Sequence, residues 1–184
     1  MAEKTDSDRI KEGGLRLLTT GEIRLAQSVF LSAIDYPTVW IHRDSYLPFH
    51  LFQNKDTAMT PDGELYFRDG YRDDFSQSTD DMQHLFIHEM SHVWQREKGM
   101  NVIGRGMVSW LVSYRYTLDG RLLSEYAMEQ QAQIIADNFV LQAFGYQAWR
   151  RLEYKKEPAI TLDGDTSEPV IRREYRKALR GFPW

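Results

Sequence analysis

The sequence has no cysteine, so disulfides, thiolate metal sites and cysteine nucleophiles are excluded together. Any metal must then be held by histidine and carboxylate. There is no basic excess: 23 Lys and Arg stand against 27 Asp and Glu, for a formal net charge of -4. That balance speaks against a nucleic-acid partner, which calls for a basic patch. No apolar run approaches the ~20 residues that cross a bilayer, so no membrane span is expected. The polar start, Met1 to Asp8, lacks the basic, apolar and small-residue segments of an export signal, so a protein made in the cytoplasm without a signal peptide is expected. Histidine is scarce, with five in the chain and none after His92.

What is present suits one compact domain: 184 residues, 42% hydrophobic and 13% aromatic. Residues 1–18 read as a flexible lead-in and 19–184 as the domain. Thr19 and Glu22 have capping-box spacing, and Ile23, Ala26, Val29, Phe30, Ala33 and Ile34 recur at helical steps behind them. Thr38 to His42 reads as a short strand, and Asp56 to Phe67 as a hairpin turning at Pro61-Asp62-Gly63. Ser78 to Asp81 supply caps and negative charge for a helix running to about Lys98, with Gly99 as its left-handed stop. Residues 101–121 give no clear period. A long helix is expected from Ser124 to Phe144 and another near Glu168 to Leu179. The fold class is therefore α+β, mainly helical, with a small antiparallel sheet or hairpin packed on the helix of residues 80–98.

That helix carries His88-Glu89-Met90-Ser91-His92. Residues four apart share a helix face, so His88 and His92 can aim two imidazoles at one zinc ion. Glu89 is rotated by about 100°, beside the open position of such an ion. There it can take a proton from water and pass it to a leaving amine. His84 continues the ladder, but eight residues climb about 12 Å and rotate the face by roughly 80°. His84 and His92 therefore cannot share an ion with His88, and His84 reads as helix surface, or as a group facing substrate or supporting a ligand.

A catalytic zinc takes three protein ligands and leaves one position open. With no later histidine, the third must be a carboxylate, and Glu125, Glu129 and Asp137 stand on the expected long helix. Its core face is drawn by Met128, Ala132, Ile135, Ala136, Phe139 and Ala143. Glu125 and Glu129 fall in that sector and Asp137 on the far side. Glu129 is preferred as the deeper residue, since an acid at Glu125, in the first turn, is accounted for by the helix dipole. The oxyanion donor falls to tyrosine, arginine or backbone; Tyr114, Tyr116, Tyr126, Tyr146, Tyr154 and Tyr175 all qualify.

His88-Glu89-x-x-His92 followed by a glutamate on a later helix resembles the gluzincin branch of zinc metallopeptidases. In that branch the third ligand opens a Glu-x-x-Ser/Ala-Asp pattern; here Glu129 and Ala132 match, and Gln133 replaces the aspartate. From Gly21 to Phe144 the chain also resembles the metallopeptidase domains attached to or encoded near VgrG and Rhs proteins of bacterial type VI secretion systems. Gly21-Glu22-Ile23, Thr57-Ala58-Met59-Thr60-Pro61 and the run from Leu85 to Gln95 carry that resemblance. It implies a zincin-like antibacterial effector, delivered by the secretion apparatus to a target cell, more readily to its periplasm than its cytoplasm. It also implies an immunity protein in the producer, a peptide or peptidoglycan cross-link as substrate, and extended substrate lying against an edge strand. Two other readings share the motif: a non-catalytic domain in which zinc staples two helices, and a housekeeping peptidase of the cell's own cytosol.

Overall fold

The computed structural model describes residues 10–46, 58–100, 114–155 and 158–184. Strand β1 (Leu15–Leu17) leads into helix α1 (Thr20–Phe30), a 3-10 turn (Tyr36–Thr38) and β2 (Trp40–His42). After β3 (Leu65–Tyr66) and a second 3-10 turn (Phe75–Gln77) comes the motif helix α2 (Asp80–Glu97). Then follow β4 (Tyr116–Thr117), a 3-10 turn (Leu123–Glu125), α3 (Met128–Ala143), α4 (Tyr146–Glu153), β5 (Leu162–Asp163) and α5 (Glu168–Ala178). The class is α+β.

The capping box of α1 forms as its spacing predicts: Glu22 N donates to Thr19 Oγ1 at 3.1 Å and Thr19 N to Glu22 Oε2 at 2.8 Å. The same carboxylate is fully buried and accepts from the two terminal nitrogens of Arg16, at 2.7 and 2.8 Å, and from Phe75 N at 2.9 Å. One side chain thus joins β1, α1 and the 75–77 turn. Gly21 lets them close: a Cβ there would stand 2.2 Å from Ser76 Oγ, which is itself bonded to Asp74. Strand β1 lies inside the segment expected to be a lead-in, because Leu-Arg-Leu is too short to announce a strand without its partner.

The expected antiparallel sheet is corrected to a mixed one of order β1-β2-β3. β1 pairs antiparallel with β2, and β2 parallel with β3; β4 and β5 make a separate parallel pair. The hairpin at Pro61-Asp62-Gly63 is reduced to one antiparallel bridge, Met59 with Tyr66, and residues 56 and 57 lie outside the described residues. Parallel pairing could not be foreseen, since β2 and β3 are brought side by side by tertiary packing and no turn joins them. Gly63, at φ +88°, makes the turn and lies under Arg96 of α2.

Helix α2 is buried from Phe86 to Gln95 and packs along α3, forming the centre of the molecule. Met90 and Ile87 fill the core together with Ile134, Ile135 and Val140. It ends as expected at a left-handed Gly99, φ +75°, with Gly99 N donating to Arg96 O and Met100 N to Gln95 O. The long helix starts four residues later than expected. Tyr126 and Ala127 are extended, and Gln130 Oε1 accepts from Ala127 N at the new start.

Candidate metal centre

Two imidazoles and one carboxylate converge where α2 meets the first turn of α3. Ligand atoms of His88, His92 and Glu129 all lie within 4.8 Å of one another. The His88 and His92 rings stand 5.1 Å apart and nearly perpendicular, 79° between planes. Glu129 Oε2 is 3.5 Å from His88 Nε2 and 3.3 Å from His92 Nε2. A tetrahedron with metal–ligand distances of about 2.05 Å has edges of about 3.3 Å, which the two distances to Glu129 match, so the donor set suits a zinc ion. Among the described residues no other group of three such side chains is gathered this closely.

The charges are consistent with that fit. Burial by itself lowers the affinity of His92 for a proton, but its hydrogen bond to Glu129 and the charges of Glu129 and Glu89 outweigh burial and raise its pKa to about 9. Burial raises Glu129, and hydrogen bonds from His88 and His92 reverse this and hold it well below the usual carboxylate range. A fixed anion between two imidazoles is what a dication replaces protons at.

Glu125 is not brought to this group. It sits in the 3-10 turn ahead of α3, exposed, with Oε2 accepting from Leu122 N at 2.7 Å. Tyr126 and Ala127 are extended and interrupt the helical period, so Glu125 and Glu129 do not share a face. Glu129 is instead the residue in the first turn, where the helix dipole adds to its stabilisation as an anion.

His84 and Asp137 need a larger correction. His84 is 5% exposed and Asp137 is fully buried, and the two meet at 2.6 Å. Asp137 does lie away from the sector of Glu129, but α3 is buried on all sides from Gln131 to Asp137, so its far side is also core. Gln133, at the aspartate position of the gluzincin pattern, donates to Asp137 Oδ1 and to Ala159 O. The residue that positions a motif histidine is Gln95: its Oε1 accepts from His92 Nδ1 at 2.8 Å, which leaves Nε2 for the metal site. Gln95 is anchored in turn by donating to Met128 O and Gln131 Oε1. It lies three residues beyond His92 on a buried helix, and nothing in its local pattern separates it from other polar residues.

Glu89 is 4% exposed, and Thr60 Oγ1 donates to its Oε2 at 2.7 Å. Both Thr60 and the bridge at Met59 belong to the strand-like segment before the turn. Met59 N and O are used by Tyr66. Backbone groups alternate sides along a strand, so those of Ala58 and Thr60 face away from β3. A cleft of about 360 Å³ reaches this segment at Ala58 and is lined also by His84, His88, Glu89, Tyr114 and Lys155 among others. Of the six tyrosines considered, Tyr114 is in the cleft, its ring 5.8 Å from that of His88. Burial and the charges of Glu129 and Glu89 raise its pKa, so its hydroxyl keeps a proton to donate. Tyr116 and Tyr175 are buried and bonded to each other.

The chain shares 35% identity and a TM-score of 0.62 with the solved effector domain of Pseudomonas aeruginosa VgrG2b, over 86% of this chain and 87% of that one. This chain belongs to the VgrG2b effector-domain family. To the type VI secretion system spike protein VgrG2b of the same organism it is 41% identical over 134 residues, which is 68% of this chain. It spans 13% of that protein's length. No family model matches the chain. In its kinship to VgrG2b the sequence resemblance to VgrG-associated domains is met at the level of an effector domain. No helix of the described residues is long and apolar enough to cross a membrane.

Proposed function

We propose that this VgrG2b-like domain is a zinc-dependent peptidase and a type VI secretion effector that hydrolyses peptide or peptidoglycan cross-link amides in a target cell. The observation that supports it most is the position of Glu89. A proton acceptor, buried and held by Thr60, lies on the cleft beside His88 and next to a three-ligand group. A zinc stapling two helices closes its coordination with a fourth ligand and needs no adjacent base.

Zinc held by His88, His92 and Glu129 would supply Lewis acidity and acidify a water molecule. Glu89 accepts the water proton and delivers it to the leaving amine, while Thr60 keeps its carboxylate turned to the cleft. Tyr114 donates to the oxygen on which charge develops. The backbone of residues 58 and 60 offers an edge along which an extended peptide adds as a strand. The kinship to a spike-protein effector domain supports secretion with a VgrG partner; an Rhs partner in its place, neutralisation by an immunity protein in the producer, and action in the periplasm, where cross-links lie, are proposed with it.

Glu89→Gln tests this reading, since the amide keeps volume and loses basicity. The variant is expected to hold zinc at wild-type stoichiometry, to unfold at the wild-type temperature and to lose 10²–10⁴-fold in hydrolysis. It should also lose toxicity when directed to the periplasm of a susceptible bacterium. Full activity in Glu89→Gln would overturn the proposal.

A further inference from the structure

The pair His84 and Asp137 is buried, polar and unused by the chemistry above. Asp137 accepts from His84 Nε2 at 2.6 Å and Gln133 Nε2 at 2.8 Å on one oxygen, and from Tyr116 OH at 2.7 Å on the other, with Thr161 N at 3.5 Å. Burial, with the Asp137 charge, raises Tyr116 well above its ordinary pKa, so that hydroxyl keeps its proton and donates. A carboxylate ringed by donors acts only as an acceptor, which fixes the hydrogen of His84 on Nε2 and the ring in one orientation. The ring nitrogen left over is Nδ1, an acceptor in this tautomer. His84 also lines the cleft, one helical turn and about 6 Å along α2 from His88.

A buried ionic network is a poor way to stabilise a core, since apolar residues of similar volume do as well or better. This one sits under the floor of a substrate-sized cleft and orients two residues that line it, Gln133, whose amide nitrogen is also bonded to Ala159 O, and His84, whose ring keeps a second nitrogen. We propose that His84, locked by Asp137, is a substrate-binding residue that accepts a main-chain N–H of the peptide one residue away from the scissile amide. The inference rests on the peptidase reading and adds to it a contact that selects for peptide backbone. Asp137 acts only through His84 and is a positioning residue.

Two probes separate this contact from the metal site. Acetohydroxamate reads the zinc alone. N-acetyl-Ala-Ala hydroxamate, with each amide N-methylated in turn, reads the cleft. His84→Gln keeps an N–H donor for Asp137 at the place of Nε2 and removes Nδ1. Calorimetry on the zinc-loaded protein should show this variant binding acetohydroxamate as the wild type does, with an unchanged melting temperature, and binding the dipeptide hydroxamate about tenfold more weakly, the effect of one hydrogen bond. One N-methylated probe should lose the same factor on the wild type and nothing further on His84→Gln. Equal affinity of both proteins for the dipeptide probe would overturn the inference, as would a wild type indifferent to every N-methylation. The N-methyl series needs only the wild type, so an indifferent wild type overturns the inference even where His84→Gln fails to fold. Failure of the wild type to bind acetohydroxamate would instead remove the zinc reading, and this inference with it.

Discussion

Zinc uptake by this site should be strongly coupled to pH, and the coupling should run through His92. In the metal-free protein its pKa is raised from 6.5 to about 9, against the effect of burial, by the hydrogen bond and charge of Glu129 and the charge of Glu89. A metal must displace that proton. At pH 7 the proton is held about two units too tightly, which weakens apparent zinc affinity about a hundredfold, or about 2.7 kcal/mol. Between pH 6.5 and 9 the logarithm of the affinity should rise by about one per pH unit, and level off above. Metal-free stability runs the other way: a raised folded-state pKa gives stabilisation that is complete below pH 6.5 and is lost as pH rises through about 9. Competition against a chelator of known proton dependence gives the affinity slope, and calorimetry in two buffers of different ionisation enthalpy counts the proton released at pH 7.5. Glu129→Gln removes the charge that holds the proton, so it should lower affinity overall and flatten the slope above pH 7. A wild-type affinity flat from pH 7 to 9, with no proton released, would refute the reasoning.

Two further outcomes follow from the buried carboxamide and carboxylate. Gln95→Leu strips His92 Nδ1 of its acceptor and leaves Met128 O and Gln131 without their donor; zinc affinity should fall roughly 10–100-fold, and an affinity within twofold of wild type would show that the tether is idle. Glu22→Gln leaves Arg16 without its counter-charge in a buried setting, and chemical denaturation should show a loss of about 3–5 kcal/mol, whereas a loss below about 1 kcal/mol would place that pair with surface salt bridges.

What the sequence made legible is what is encoded within one helix turn or one cap. The capping box at Thr19 and Glu22, the stop at Gly99 and the placing of His88, Glu89 and His92 on one helix all depend on residues three to five apart. Glu129 was preferred to Glu125 on the premise that it lies deeper in the helix, and it is in fact the residue of the first turn. The convergence is real, but the wheel that suggested it crossed a break. The pairings of His84 with Asp137 and of Thr60 with Glu89 are not legible because the partners stand 53 and 29 residues apart, and Gln95, only three residues from His92, carries no local mark that sets it apart. The stretch of α3 from Gln131 to Asp137, packed on every side, also has no solvent face from which direction could be read.

Gly-Glu-Ile at positions 21–23 was among the phrases that marked the kinship, and it has no part in the chemistry. Gly21 gives α1 room against Ser76, and Glu22 ties that contact to Arg16 and Phe75. The triplet is an assembly joint, so members of this family that lack counterparts of His88, His92 and Glu129 should still keep it. A chain that replaces Gly21 should carry a compensating change at Ser76 or Asp74, and a survey of homologues guided by that joint would find inactive cousins that a search for the histidine motif passes over.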